Sequence, residues 1–206
     1  MKDIFKLDLK FDRDLMMATI ISTTLLLLNG YHNFTGYIVL DRVMLYLIVP
    51  LLVIVLLERR SPGEYGFQLG DWRAGLTITI LVMALAAPIL WLTMRSSPAM
   101  QQYYGHRMNA VMPVFTFLDL IGWEFLFRGW LLFNYARHFG PHALWLQAVP
   151  FAMAHMGKPE VETYSTIFGG FIFGLVAWRT RSFLYPFLIH WFISSFTILL
   201  AGGYYG

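Results

Sequence analysis

From Val111 to Tyr135 the chain is apolar almost throughout, yet Glu124 and Arg128 stand inside that run, in the stretch GWEFLFRGW at 122–130. A run this long predicts a membrane-crossing helix, because a bilayer offers no water to backbone groups and a helix satisfies them within its own segment. A charge deep in such a helix costs roughly 2.5–3.5 kcal/mol on insertion scales, so it faces protein or water and serves a purpose. At i and i+4 the carboxylate and the guanidinium share one helix face. They form either a structural ion pair tying a bundle together or a catalytic carboxylate held in place by its neighbour.

The rest of the chain supports a membrane setting. Only 13% of its residues are charged and 58% are hydrophobic, with a mean hydropathy of +0.59, whereas soluble domains carry about 25% charged residues. The fold class is therefore all-α, a polytopic transmembrane helix bundle of about seven spans, expected as a single membrane domain over 1–206. The chain contains no cysteine, which excludes a disulfide framework, thiolate catalysis and Cys-ligated metal. Its net charge of +3 is distributed by topology, so no nucleic-acid partner is read from it.

Residues 1–14 alternate apolar and charged side chains and are expected to form an interfacial or solvated arm. Apolar segments follow at about 15–28, 37–57, 74–94, 111–135, 142–156, 164–178 and 183–201. Asp41 and Arg42, near the start of the second, are expected to pair or to reach the interface. Asp71 is placed to cap the third helix, and Pro88 to kink it. The fifth segment is short, interrupted by Pro150, and either spans or re-enters. In the sixth, Gly170 and Gly174 form a small-xxx-small pair for close helix packing. Lys2, Lys6, Lys10, Arg13, Arg59, Arg60, Arg73, Arg137, Arg179 and Arg181 fall on one side; Arg42, Arg95, Arg107 and Lys158 fall on the other. The positive-inside rule then puts the N-terminus in the cytoplasm.

Few ionisable groups sit at bilayer depth: Asp119, Glu124 and Arg128 on the fourth segment, His155 closing the fifth, and His190 in the seventh. Polar groups from three segments converging in lipid suggest a site. A glutamate can take a proton from water, and neutral histidines can orient that water or donate to an oxyanion. Glutamate with two histidines is also a zinc set, although no H-E-x-x-H is present. Ser194 lies one turn beyond His190 without a nucleophile elbow, and a hydrogen bond to His190 or to the backbone is its expected role.

Glu124 followed by Phe127-Arg128-Gly129, F-x-x-x-H at Phe151–His155, the glycine-rich sixth segment and H-x-x-x-S at His190–Ser194 occur in a specific order and spacing. Over roughly the last hundred residues this resembles the CPBP family of CAAX-processing and bacteriocin-processing (Abi) membrane proteases. The stretch EYGFQLGDWRAG resembles the loop that commonly precedes their core. The resemblance implies an intramembrane glutamic endopeptidase with a catalytic-type core over 111–201, no required metal and no cofactor. It implies that Glu124 and Arg128 organise the site, that His155 activates water, and that His190 with Ser194 stabilises the oxyanion. Ser194 stands where an asparagine is common. The family's first motif glutamate is replaced by Trp123. Three accounts follow: Glu124 itself serves as base, Asp119 supplies the carboxylate, or the chain is a non-catalytic scaffold or immunity-type protein. A metal-dependent hydrolase is the third function class. The partners implied are the lipid bilayer and a peptide or protein at the membrane: a prenylated CAAX end, a bacteriocin leader or a sorting-signal tail. The expected location is a bacterial plasma membrane.

Overall fold

The computed structural model describes residues 9–204, so most of the arm expected at 1–14 lies outside the described residues. The first helix, α1, runs Arg13–Tyr31, longer at both ends than its apolar run, because the Asp12 carboxylate caps it by accepting from the Leu15 N–H. Helix α2, Ile38–Glu58, contains π-helical turns at Met44–Ile48 and Val53–Glu58. Helix α3, Trp72–Ser96, starts at Asp71, whose side chain accepts from the Ala74 N–H, and continues through Pro88. The polar stretch expected as loop at 95–110 holds a short helix, α4, Pro98–Gly105, capped by Ser97.

Helix α5 covers 112–139 and is wound as a π-helix over Phe125–Leu131, directly after Glu124. Two short pieces follow, α6 at Ala143–Leu146 and α7 at Ala148–Met153. Helices α8, Glu160–Thr180, and α9, Leu184–Gly202, complete the bundle. Helices α1, α2, α3, α8 and α9 are long and apolar enough to cross a membrane.

Polar contacts define the two ends of the bundle. At the first, Asp12 meets His138 and Asp14 meets Arg60. There too the Phe183 N–H donates to Gly66 and the Asp71 N–H to Thr180. At the second, the Tyr104 hydroxyl donates to Glu162 at 2.6 Å. Burial first and that carboxylate second push the Tyr104 phenol up, so it stays a neutral donor.

The fifth segment runs from the first end to the second. Ala143 packs with Ala177, Gln147 Nε2 donates to the Gly170 carbonyl at 2.8 Å, and Thr163 donates to the His155 carbonyl at 3.0 Å. It therefore runs antiparallel to α8, and its thirteen residues from 143 to 155 reach about 20 Å at 1.5 Å each. The glycine pair of α8 makes this close approach possible. A Cβ on Gly170 would lie 2.9 Å from the Ala148 Cβ, and one on Gly174 would lie 2.7 Å from Gln147 Nε2.

Candidate functional site

Glu124 sits at the last α-helical position of α5 before the π-helical turns, a distortion common at functional sites. It is fully buried, as is Arg128. Glu124 Oε1 accepts from Arg128 Nη1 at 3.1 Å and from His190 Nδ1 at 2.6 Å. The expected i, i+4 pair is thus present, and α9 adds a third member. Because that oxygen accepts from two donors, His190 carries its proton on Nδ1 and its Nε2 faces away from the carboxylate. Glu124 Oε2 is buried without a hydrogen-bond partner among the described residues, as are Arg128 Nε and Nη2.

Aromatic faces hold the guanidinium, which pairs with no second carboxylate among the described residues. Arg128 Cζ lies 3.8 Å from the ring centre of Phe151 and 5.1 Å from that of Phe173. Such cation–π contact supplies part of what lost hydration removes.

His155 follows α7 in the turn before α8 and is almost completely buried. Its Nδ1 lies 2.8 Å from the Phe151 carbonyl, which can only accept, so Nδ1 is the protonated nitrogen and Nε2 holds a lone pair. The two imidazole centres are 6.3 Å apart with planes 29° apart, and Phe151 touches both. Glu124, Arg128, His155 and His190 therefore gather around one phenylalanine. Ser194 is half-buried on α9 and makes no hydrogen bond to His190 or to the backbone among the described residues. The bond expected there is absent, because sharing a helix face does not set the hydroxyl's direction.

Asp119 is engaged elsewhere. Both its oxygens accept from Arg42 Nη1, at 2.9 and 2.8 Å. This corrects the expected Asp41–Arg42 pair: Asp41 instead accepts from the Phe34 and Thr35 N–H groups and the Thr35 hydroxyl. Arg42 also lies 5.2 Å from the ring centre of Trp123. Trp123 stacks on Phe127 and meets His155 at 5.6 Å. Gly122 lets α2 come this close, since a Cβ there would sit 2.8 Å from the Arg42 carbonyl.

Two buried groups were not singled out from the sequence. Gln147 is buried against α8, and its Oε1 has no hydrogen-bond partner among the described residues; its spacing of four from Phe151 and eight from His155 was the available signal. Glu58, read as part of a polar loop, is 5% exposed and accepts from the Tyr65 hydroxyl, Trp130 Nε1 and Asn134 Nδ2. Among the described residues no group of three or more His, Asp or Glu side chains is placed to hold a metal ion.

A groove of about 420 Å³ is lined by Ala152, Met153 and Met156, neighbours of His155 in sequence, with Lys158, Thr163 and Tyr164 among others. Its walls suit an apolar chain, and Lys158 at its rim is paired with Glu162 at 2.8 Å.

Residues 107–196, which include Asp119, Trp123, Glu124, Arg128, Gln147, His155, His190 and Ser194, match the family model described as type II CAAX prenyl endopeptidase Rce1-like. No curated protein and no solved structure matches the chain.

Proposed function

Taking residues 107–196 as an Rce1-like domain of the CPBP family, we propose that the protein is an intramembrane endopeptidase that hydrolyses a peptide bond of a membrane-associated substrate. The observation that carries this reading is the asymmetry of Glu124. One carboxylate oxygen is tied by Arg128 and His190, while the other is buried with no hydrogen-bond partner among the described residues. A carboxylate that is held but not consumed is poised to act as a base.

In this mechanism water binds between Glu124 Oε2 and His155 Nε2. Glu124 takes its proton as the oxygen attacks the carbonyl carbon. The C–N bond then breaks, and Glu124 returns the proton to the leaving amine. Arg128 and His190 both hold the Glu124 carboxylate through Oε1 and so fix its orientation. Ser194, without a hydrogen-bond partner among the described residues, supplies a hydroxyl to the developing oxyanion. No step requires a second glutamate, so Trp123 is accommodated. The groove lined by Ala152, Met153 and Met156 takes the apolar part of the substrate, consistent with a lipidated or hydrophobic peptide. The cationic groups at the first end (Lys10, Arg13, Arg59, Arg60, Arg73, Arg137, Arg179 and Arg181) support a cytoplasmic position for that end.

The second reading is a non-catalytic scaffold. It is favoured by Trp123 at the first motif position together with the engagement of Asp119 by Arg42. The two are separated by comparing cleaved peptide ends in membranes containing the wild type, Glu124→Gln or His155→Ala at matched levels. The protease reading expects new ends with wild type alone and folded but inactive variants. Identical ends from all three would leave the scaffold.

A further inference from the structure

Trp123 is 7% exposed, and its Nε1–H has no hydrogen-bond partner among the described residues. Buried indole N–H groups ordinarily find an acceptor. This ring is held too firmly to turn toward one. It stacks on Phe127 at 5.6 Å, meets Tyr46 edge-on at 5.5 Å, and carries the Arg42 guanidinium against it. Arg42 is itself clamped by Asp119 and by Asn29 Oδ1 at 3.2 Å. On the other side are His155 and Phe151, with ring centres 5.6 and 6.4 Å away.

Glu124 does not complete this N–H, because adjacent residues point to different sides of a helix. Among the described residues, Glu124 Oε2 is an acceptor without a hydrogen-bond partner, alongside the His155 Nε2 lone pair, and Trp123 and Arg128 hold donors without one. This set complements a peptide bond with its attacking water: the acceptors suit the water, and a donor suits the carbonyl oxygen. Indole donates and does not accept. A tryptophan at this position therefore cannot activate water, but it can bind a carbonyl.

We infer that Trp123 is a substrate-binding residue whose Nε1–H donates to a carbonyl oxygen of the bound peptide, with the Arg42–Asp119 pair as its positioning clamp. The inference rests on the peptidase reading and deepens it. No proton is transferred and no bond to Trp123 forms; the indole only holds the oxygen as water adds to the carbon.

The test uses the full-length protein in nanodiscs, with Glu124→Gln to block turnover and ¹⁵N-labelled indoles. The probe is a farnesylated CAAX-type tetrapeptide. The Trp123 indole resonance is identified by its loss in Trp123→Phe, and it is expected to move downfield on peptide addition. Replacing the indole by a benzothiophene side chain, which keeps the ring shape and removes the N–H, is expected to weaken peptide binding roughly tenfold at unchanged thermal stability, the worth of one hydrogen bond. In the Glu124-containing background the same replacement is expected to raise KM or lower kcat, with cleavage retained. If wild type cleaves the probe and the benzothiophene form binds and cleaves it equally, the role of Trp123 is refuted while the peptidase reading stands. A peptide that is neither bound nor cleaved refutes both.

Discussion

Replacing Glu58 by alanine tests whether the buried acceptor at the end of α2 holds the helix bundle together. In the wild type one carboxylate receives the Tyr65 hydroxyl, Trp130 Nε1 at 2.9 Å and Asn134 Nδ2 at 3.3 Å. Trp130 and Asn134 are completely buried, so neither can turn to water when the acceptor goes. Tyr65 retains Arg137, which donates to its hydroxyl oxygen at 2.6 Å. Each orphaned buried donor costs about 1–3 kcal/mol, and Glu58→Ala orphans three, the Tyr65 O–H included, which puts it at about 3 kcal/mol or more. Glu58→Gln keeps one carbonyl oxygen for Trp130 and Asn134 and loses only the acceptor for Tyr65, so about 1 kcal/mol is expected. Reversible unfolding in mixed micelles, followed by tryptophan fluorescence, measures both. A loss below about 1 kcal/mol for Glu58→Ala would refute the argument. A loss for Glu58→Gln equal to that for alanine would show that charge, rather than acceptor geometry, holds the cluster.

Further outcomes are expected elsewhere in the fold. Gly170→Val puts branched carbon where a Cβ already lies 2.9 Å from Ala148; a loss of about 1–3 kcal/mol is expected in the same unfolding assay, with Gly169→Val, which has open space around it, as the harmless control. Asp119→Asn leaves Arg42 without its bidentate partner at partly exposed positions, so a loss of about 1–3 kcal/mol is expected, below that of a fully buried pair. The Ala74 N–H and then the Arg179 guanidinium hold the Asp71 carboxyl below its usual range. The folded state thus binds this proton less tightly than the unfolded chain, and the stabilisation is complete above the unfolded value and is lost as pH falls through the folded one. The Tm difference between wild type and Asp71→Ala is therefore expected to be constant near neutral pH and to shrink below about pH 4.

How far the sequence could be read depends on the range of each interaction. Glu124 and Arg128 were legible as a pair because four residues of helix bring them together by geometry alone, and the bond at 3.1 Å is the result. Asp71 was legible as a cap for the same reason. Arg42 was not legible as the partner of Asp119, since they are 77 residues apart and only the packing of α2 on α5 joins them. Asp41, next in sequence, looked the better partner, but the turn at Phe34 and Thr35 takes it first. Ser194 shows the limit of periodicity: i+4 places it on the face of His190 without making a contact. Glu58 was hidden by its neighbours, because the charges and turn residues that follow it read as loop while its own side chain turns inward onto α5.

What the sequence by itself determined is the long apolar helices and which charged and histidine residues are left inside the apolar segments. Hydrophobic runs must become helices in lipid, since an unpaired backbone group has no water to turn to. Charges left inside those runs must converge on one another or on a cavity. What only the tertiary structure decided is the pairing among those charges and the path of the short fifth segment. Gly170 and Gly174 let that segment pack against α8, which brings Phe151 and His155 beneath α5 and α9. The resulting ring contacts leave one oxygen of Glu124 bound and the other with no hydrogen-bond partner among the described residues. These outcomes depend on which helix faces meet, and close contact between distant segments is set by packing rather than by local propensity.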